Sequence, residues 1–250
     1  SSHRRQRQMC IRDSLNPNRT RWVEEDFNRL WAEGVLENPK RKRTSEFLRA
    51  NEVKNIVSQV DYLLDIHSMQ KPCVPLMMAG MLNKGIDFAR DVGMQMPIIS
   101  DTGHNEGMRM RDYFGFSNKE SQKNALLVEC GQHWAKSSEI VAIETMIRFL
   151  RTTSIMDENF ADDFILKNKV LNFQNDVYKV GKIITIKSEN FKFDQDWQGF
   201  ETLKKGVLIG KDDNEEVYAP YEETILIMPS KRLFPGKTAV RLAYKLSDYY

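Results

Sequence analysis

No apolar run in the chain approaches the ~18 residues that a membrane-crossing helix needs, so no membrane partner is expected. There are only three cysteines. Cys10 falls in an uninformative opening segment, and Cys73 and Cys130 stand far apart with no CxxC pattern. That excludes a disulfide framework or a zinc knuckle and points to buried, reduced thiols in a cytoplasmic setting. The sequence also has no internal repeat, no low-complexity tract and no helix-borne HExxH pair. No signal peptide stands at the start, where the sequence is uninformative in any case. What remains is an ordinary globular composition, 41% hydrophobic and 29% charged over 250 residues. Such a length serves one large domain, or a medium and a small one.

Residues 1–14 show neither hydrophobic period nor turn chemistry and resemble translated sequencing-adapter sequence, so they are set aside from fold reasoning. They carry four Arg and one Asp, a contribution of +3 to the formal +2, which leaves −1 for the rest. The basic balance is then no argument for a nucleic-acid partner. Lys40-Arg41-Lys42-Arg43 is the one basic cluster left, and it reads as a solvated loop.

From Asn16 to Trp31 the chain lacks a helical or strand period, as a long ordered loop over a site would. Ser45 is placed to cap a helix reaching Val60, with Phe47, Leu48, Val53, Ile56, Val57 and Val60 on its inner face. A strand follows over Tyr62–His67, then a helix from about Leu82 to Val92 that stops at Gly93. Met96–Ser100 and Ala125–Glu129 are further strands. Ser137–Arg151 is a helix with Ile140, Val141, Ile143, Ile147 and Leu150 facing inward. This alternation predicts a mostly parallel sheet with helices on both faces, an α/β domain over residues 15–153. From Phe160 the apolar runs are short and separated by turn signals, such as Lys211-Asp212-Asp213-Asn214. They predict a small all-β domain over residues 160–250.

Two apolar strands each end in one ionisable group: Asp65-Ile66-His67-Ser68 and Leu126-Leu127-Val128-Glu129-Cys130-Gly131. In open α/β sheets ligands sit outside the carboxyl ends of the strands, where both groups would emerge. His67 reads either as a structural histidine satisfied by the backbone or as a metal ligand whose tautomer Asp65 sets. A carboxylate placed straight after four apolar residues is costly to bury unless something cationic neutralises it. Glu129 therefore suits a general base. Arg21, Asn28 and Arg29 form a donor set for gripping a carboxylate, although both arginines could instead pair with Glu24, Glu25 and Asp26. Gly103-His104-Asn105-Glu106-Gly107, with His133 as an extra donor, is a rival metal reading that its spacing treats as a loop.

Arg21-Trp22-Val23-Glu24-Glu25-Asp26-Phe27-Asn28-Arg29 is similar to the R-[YFW]-x-x-x-D-[LF]-N-R stretch of the succinylglutamate desuccinylase/aspartoacylase family, zinc-dependent amidohydrolases with a carboxypeptidase-like α/β domain and a small β-rich domain. Asp65-Ile66-His67-Ser68 resembles the family's D-[LI]-H-S segment, and Val128-Glu129-Cys130-Gly131 its V-E-x-G segment. Pro220-Tyr221-Glu222, Met228-Pro229-Ser230 and Gly236–Leu242 resemble its C-terminal domain. The resemblance implies a Zn2+ cofactor with His67 as a metal ligand and Glu129 as the catalytic base. It further implies that Arg21 stabilises the oxyanion, that Asn28 and Arg29 hold a substrate carboxylate, and that Tyr221 reaches into the site. The implied substrate is a small N-acyl amino acid, and homo-oligomerisation is left open.

The family's first motif, G-x-H-G-N-E, which supplies a His and a Glu to the metal, has no match between residues 1 and 15. The resemblance therefore implies a chain truncated ahead of Asn16, inactive and poorly stable as written. A carboxypeptidase-like metallopeptidase and a non-catalytic binding module on the same fold are the alternatives.

Overall fold

The computed structural model describes residues 22–103, 106–168 and 173–247. Residues 1–14, Arg21, His104 and Asn105 lie outside them.

Helix α1 (Ser45–Gln59) starts where expected but is capped one residue earlier. Thr44, extended at φ −69° and ψ 163°, is the cap, and its Oγ accepts from the Phe47 amide at 3.0 Å. Ser45 instead turns its own amide to Glu24, 2.8 Å away. Phe47, Ala50 and Val57 are buried against Leu30, Trp31, Leu36, Tyr113 and Phe116. Leu48 and Ile56, expected to face inward, are exposed, because only one flank of the helix meets that cluster. Helix α2 (Asn83–Val92) ends at Gly93, left-handed at φ 69°, as the sequence indicates. In α3 (Lys136–Thr152), Val141 and Ile147 are buried as expected and are joined by Thr145 and Phe149. Ile140, Ile143 and Leu150 are half-buried. A short α4 (Asp162–Lys167) follows.

The strands are β1 (Tyr62–Met69), β2 (Leu76–Met78), β3 (Ile98–Ser100), β4 (Asn124–Gln132), β5 (Val177–Thr185), β6 (Lys192–Phe193), β7 (Thr202–Lys204), β8 (Leu208–Asp212), β9 (Glu215–Tyr218), β10 (Glu223–Ile227) and β11 (Thr238–Lys245). Strand β2 escapes sequence reasoning, since three residues between Pro75 and Gly80 carry no period. Eight strands form one sheet in the order β1-β4-β2-β3-β5-β11-β10-β7, and β6-β8-β9 form a second. The first half of the large sheet is mostly parallel: β1–β4, β2–β3 and β3–β5 are parallel, and only β2–β4 runs the other way. Beyond β5 every pairing is antiparallel.

Period two sorts β4 between the faces. Leu126, Val128 and Cys130 lie under α2 and α3, whereas Ala125 and Leu127 meet the clusters on the opposite side. Leu126, Leu127 and Val128 are each at most 2% exposed. Each such side chain contributes roughly 1.5–3 kcal/mol of burial, which fixes the register that aims Glu129.

Candidate active site

Strands β1 and β4 pair in parallel with His67 opposite Glu129, and Asp65 two residues back opposite Leu127. Period two therefore turns Asp65, His67 and Glu129 to one face, on strands ~4.8 Å apart. On the other flank β2 sets Leu76 opposite Glu129. The carboxylate thus emerges between an imidazole and an aliphatic side chain, in a residue only 7% exposed. Two residues on, Gly131 turns at φ +108°, and a Cβ there would stand 2.9 Å from Ser138 Oγ of α3. The small residue after the Glu is what lets β4 bend into the helix.

The segment ahead of α1 folds over this face. Asp26 Oδ1 accepts from the Asn28 amide at 3.0 Å and caps a single 3-10 turn, Phe27–Arg29. Asn28 Oδ1 accepts from the Met110 amide at 2.7 Å, which fixes the orientation of its side-chain amide. Its Nδ2 then stands 3.5 Å from His67 Nε2. That ring nitrogen lies much nearer Asp65 Oδ1, at 2.9 Å, so the shorter contact governs. In the neutral imidazole this contact places the hydrogen on Nε2, donating to Asp65, and leaves Nδ1 as the acceptor nitrogen. Asn28, Asp65, His67 and Glu129 are thereby brought together.

On the same face lies a buried ion network. Arg109 grips Asp101 with two nitrogens at 2.7 and 3.1 Å and Asp112 at 2.8 Å. Arg241 of β11 reaches Asp101 at 3.6 Å, and Arg111 reaches Asp112 at 2.5 Å. All five residues are at most 6% exposed. Burial pushes the Asp101 carboxyl up, but Arg109, Arg241 and Arg111 together outweigh it and hold the group below the usual carboxylate range. Burial brings Arg241 down to about 10, although Asp101 and Glu129 both favour its charged form. Arg241 also feels Arg29, which disfavours its charge, and Glu129, which favours it.

Sequence reasoning missed this network. Arg109, Arg111 and Asp112 sit in a charge-rich stretch that looks like a solvated loop, and the one available signal was the i,i+3 pairing of Arg109 with Asp112.

Arg29 follows Asn28 at the rim. It meets Asp26 at 3.9 Å and Glu106 at 3.6 Å, while Glu24 and Glu25 pair instead with Lys42 and Arg41 of the basic run. Tyr221 packs edge-on against Tyr244, ring centroids 4.9 Å apart. Its hydroxyl lies over Gly181, where a Cβ would come within 2.1 Å. His133 Nδ1 lies 2.7 Å from Ser68 Oγ. Among the described residues no group of three or more His, Cys, Asp or Glu side chains is arranged to hold a metal ion. Among the described residues no helix is long and apolar enough to cross a membrane.

An imidazole and a carboxylate on one face near the carboxyl ends of parallel strands, under an amide-bearing loop, stand where open α/β sheets commonly bind ligands. No family model matches the chain. It is similar to the succinylglutamate desuccinylase of Pseudoalteromonas atlantica, 21% identical over 88% of this chain and 65% of the relative. In structure it resembles succinylglutamate desuccinylase from Vibrio cholerae, with TM-score 0.62 and 15% identity over 90% of this chain and 66% of the other. It also resembles a succinylglutamate desuccinylase/aspartoacylase from Rhodobacter sphaeroides, with TM-score 0.58 and 11% identity over 90% and 69%. The fold is thus the one these desuccinylases share, and the chain spans just under two thirds of the curated relative's length.

Proposed function

We propose that the protein is a deacylase that hydrolyses the amide bond of a small N-acyl amino acid, with zinc as its cofactor. The observation that carries this reading is the His67–Glu129 register, with Asp65 and Asn28 on the same face. His67, oriented by Asp65, is the ligand these residues offer to a metal. A catalytic zinc needs about three protein ligands, so the described residues do not complete its site.

The chain's own groups have the following roles. Glu129, buried beside His67, takes a proton from the attacking water and returns it to the leaving amine. The Asn28 amide, fixed by the Met110 backbone, and the Arg29 guanidinium orient the carboxylate end of the substrate. Arg241 offsets the charge of Glu129 in an enclosed site. Arg21, at the head of the same segment, is assigned to the developing oxyanion, and Tyr221 to substrate contact.

The test is release of free amine from N-acyl amino acids and from short peptides, with zinc supplied. Release from the acylated amino acids supports the proposal. Release from peptides alone would replace it with a peptidase, and release from neither would leave a binding module.

A further inference from the structure

We infer that Glu46 of α1 is a positioning residue for the segment over the site, so that Asn28 and Arg29 are correctly placed only while its carboxylate holds the backbone of Val23–Glu25. The inference rests on the proposed role of Asn28 and Arg29 in binding substrate.

Glu46 is only 9% exposed and lies in the first turn of α1, where a carboxylate is favoured. Its oxygens serve another part of the chain. Oε1 accepts from the Val23 amide at 2.6 Å, and Oε2 accepts from the Glu24 and Glu25 amides at 3.3 and 3.5 Å. Three successive backbone donors thus converge on one buried side chain. The segment answers in kind: Glu24 Oε2 accepts from the Ser45 amide at 2.8 Å, and the Glu25 carboxylate accepts from the Thr44 hydroxyl. Segment and helix end therefore satisfy each other's amides.

Buried apolar surface does not hold this stretch. Val23 is 81% exposed, Glu24 is exposed, and Trp22 and Glu25 are half-buried. A second anchor lies downstream, where Asn28 Oδ1 accepts from the Met110 amide at 2.7 Å and the Trp31 amide donates to the Met108 carbonyl at 3.3 Å. Between the two anchors is the turn Phe27–Arg29 that Asp26 caps. A turn this short has little stability of its own. Released upstream, it would be free to swing about the downstream anchor, and the Asn28 amide would lose its place 3.5 Å from His67 Nε2.

The test combines hydrogen exchange of the 250-residue chain with calorimetric titration by N-acetyl-L-alanine, without added zinc so that no turnover intrudes. In Glu46→Ala the Asn28 and Met110 amides, which donate to Asp26 and Asn28 and not to Glu46, should exchange at least about fivefold faster than in wild type. Affinity should fall about tenfold, as for loss of one charge-assisted hydrogen bond. Glu46→Gln keeps one acceptor oxygen and should bind within about threefold of wild type. Asp212→Ala is the matched control, since it removes a buried carboxylate that accepts from the Lys187 and Ser188 amides at 2.7 and 3.0 Å. It should lower the melting temperature while moving affinity less than about threefold. Unchanged exchange at Asn28 in Glu46→Ala, or an affinity loss no larger than in Asp212→Ala, overturns the inference. If Glu46→Ala does not fold, Glu46→Asp, one methylene too short to reach all three amides, should still speed exchange at Asn28 at least about twofold, and no change there overturns it equally. Wild type that does not bind N-acetyl-L-alanine, or Asn28→Ala that binds it as wild type does, would instead remove Asn28 from substrate binding, and exchange at Asn28 alone would then decide whether Glu46 positions the segment.

Discussion

Replacing Arg109 with methionine removes the cation that grips Asp101 at 2.7 and 3.1 Å and Asp112 at 2.8 Å. Asp101 would keep Arg241, 3.6 Å away, and the weaker influence of Arg111, in a site where the aspartate is 2% exposed. Breaking a buried pair from one side costs about 3–5 kcal/mol, because the remaining charge stays desolvated. For a chain of this size that lowers the melting temperature by roughly 6–20 °C.

The pH dependence has a definite sign. In the wild type the Asp101 carboxyl is held low, so its contribution is present above the ordinary aspartate value of about 3.9 and is lost as pH falls through the lower folded value. In Arg109→Met the folded value rises, so the variant loses less on acidification and its deficit against wild type should be smaller at pH 4 than at pH 7. Thermal unfolding at pH 7 and pH 4, with Asp101→Asn and the double variant, reads both effects. The double variant should lose less than the sum of the singles by at least about 1 kcal/mol. A melting temperature within about 2 °C of wild type, or strict additivity, would refute the reasoning.

Gly131→Ala should cost about 1–3 kcal/mol in urea unfolding, since its φ of +108° and the 2.9 Å approach of Ser138 both oppose a Cβ. Lys84→Met should cost a similar amount or more, because Lys84 Nζ donates to four carbonyls, at 3.2, 2.8, 2.8 and 2.7 Å, and ties down residues 115–123. Burial pushes the Cys73 thiol up to about 11 and the Cys130 thiol to about 12. In a Cys10→Ser variant, thiol labelling at pH 8 of Cys130, which is buried, and of Cys73, which is half-buried, should therefore run at least about tenfold slower in the native protein than in denaturant, and equal rates would refute this.

How much of this was legible beforehand depends on the kind of signal. The strands carrying His67 and Glu129 were legible because a continuous apolar run ending in one ionisable group has few other meanings. Their shared face was legible too, given a parallel pairing. Asn28 and Arg29 could be singled out by donor chemistry, but single-sequence logic did not separate a carboxylate grip from surface pairing with Glu24, Glu25 and Asp26. The structure divides those partners, giving Asp26 to Arg29 and giving Glu24 and Glu25 to the basic run. Asp101, Arg109 and Arg241 were not legible. Buried and solvated charges look alike in sequence, and in a network made by residues 101, 109, 111, 112 and 241 only Arg109 and Asp112 share a local spacing. Thr44 in place of Ser45 as the cap is a one-residue choice between two hydroxyls, decided by which amide Glu24 takes.

The decisive measurement is turnover of N-acyl amino acids by the protein with zinc supplied, with and without Glu129→Gln. If Glu129 is the proton-transferring group beside His67, turnover should fall by roughly three orders of magnitude or more while zinc content and melting temperature hold, as expected for loss of a general base. Turnover preserved in Glu129→Gln, with zinc still bound, would contradict the site proposed here.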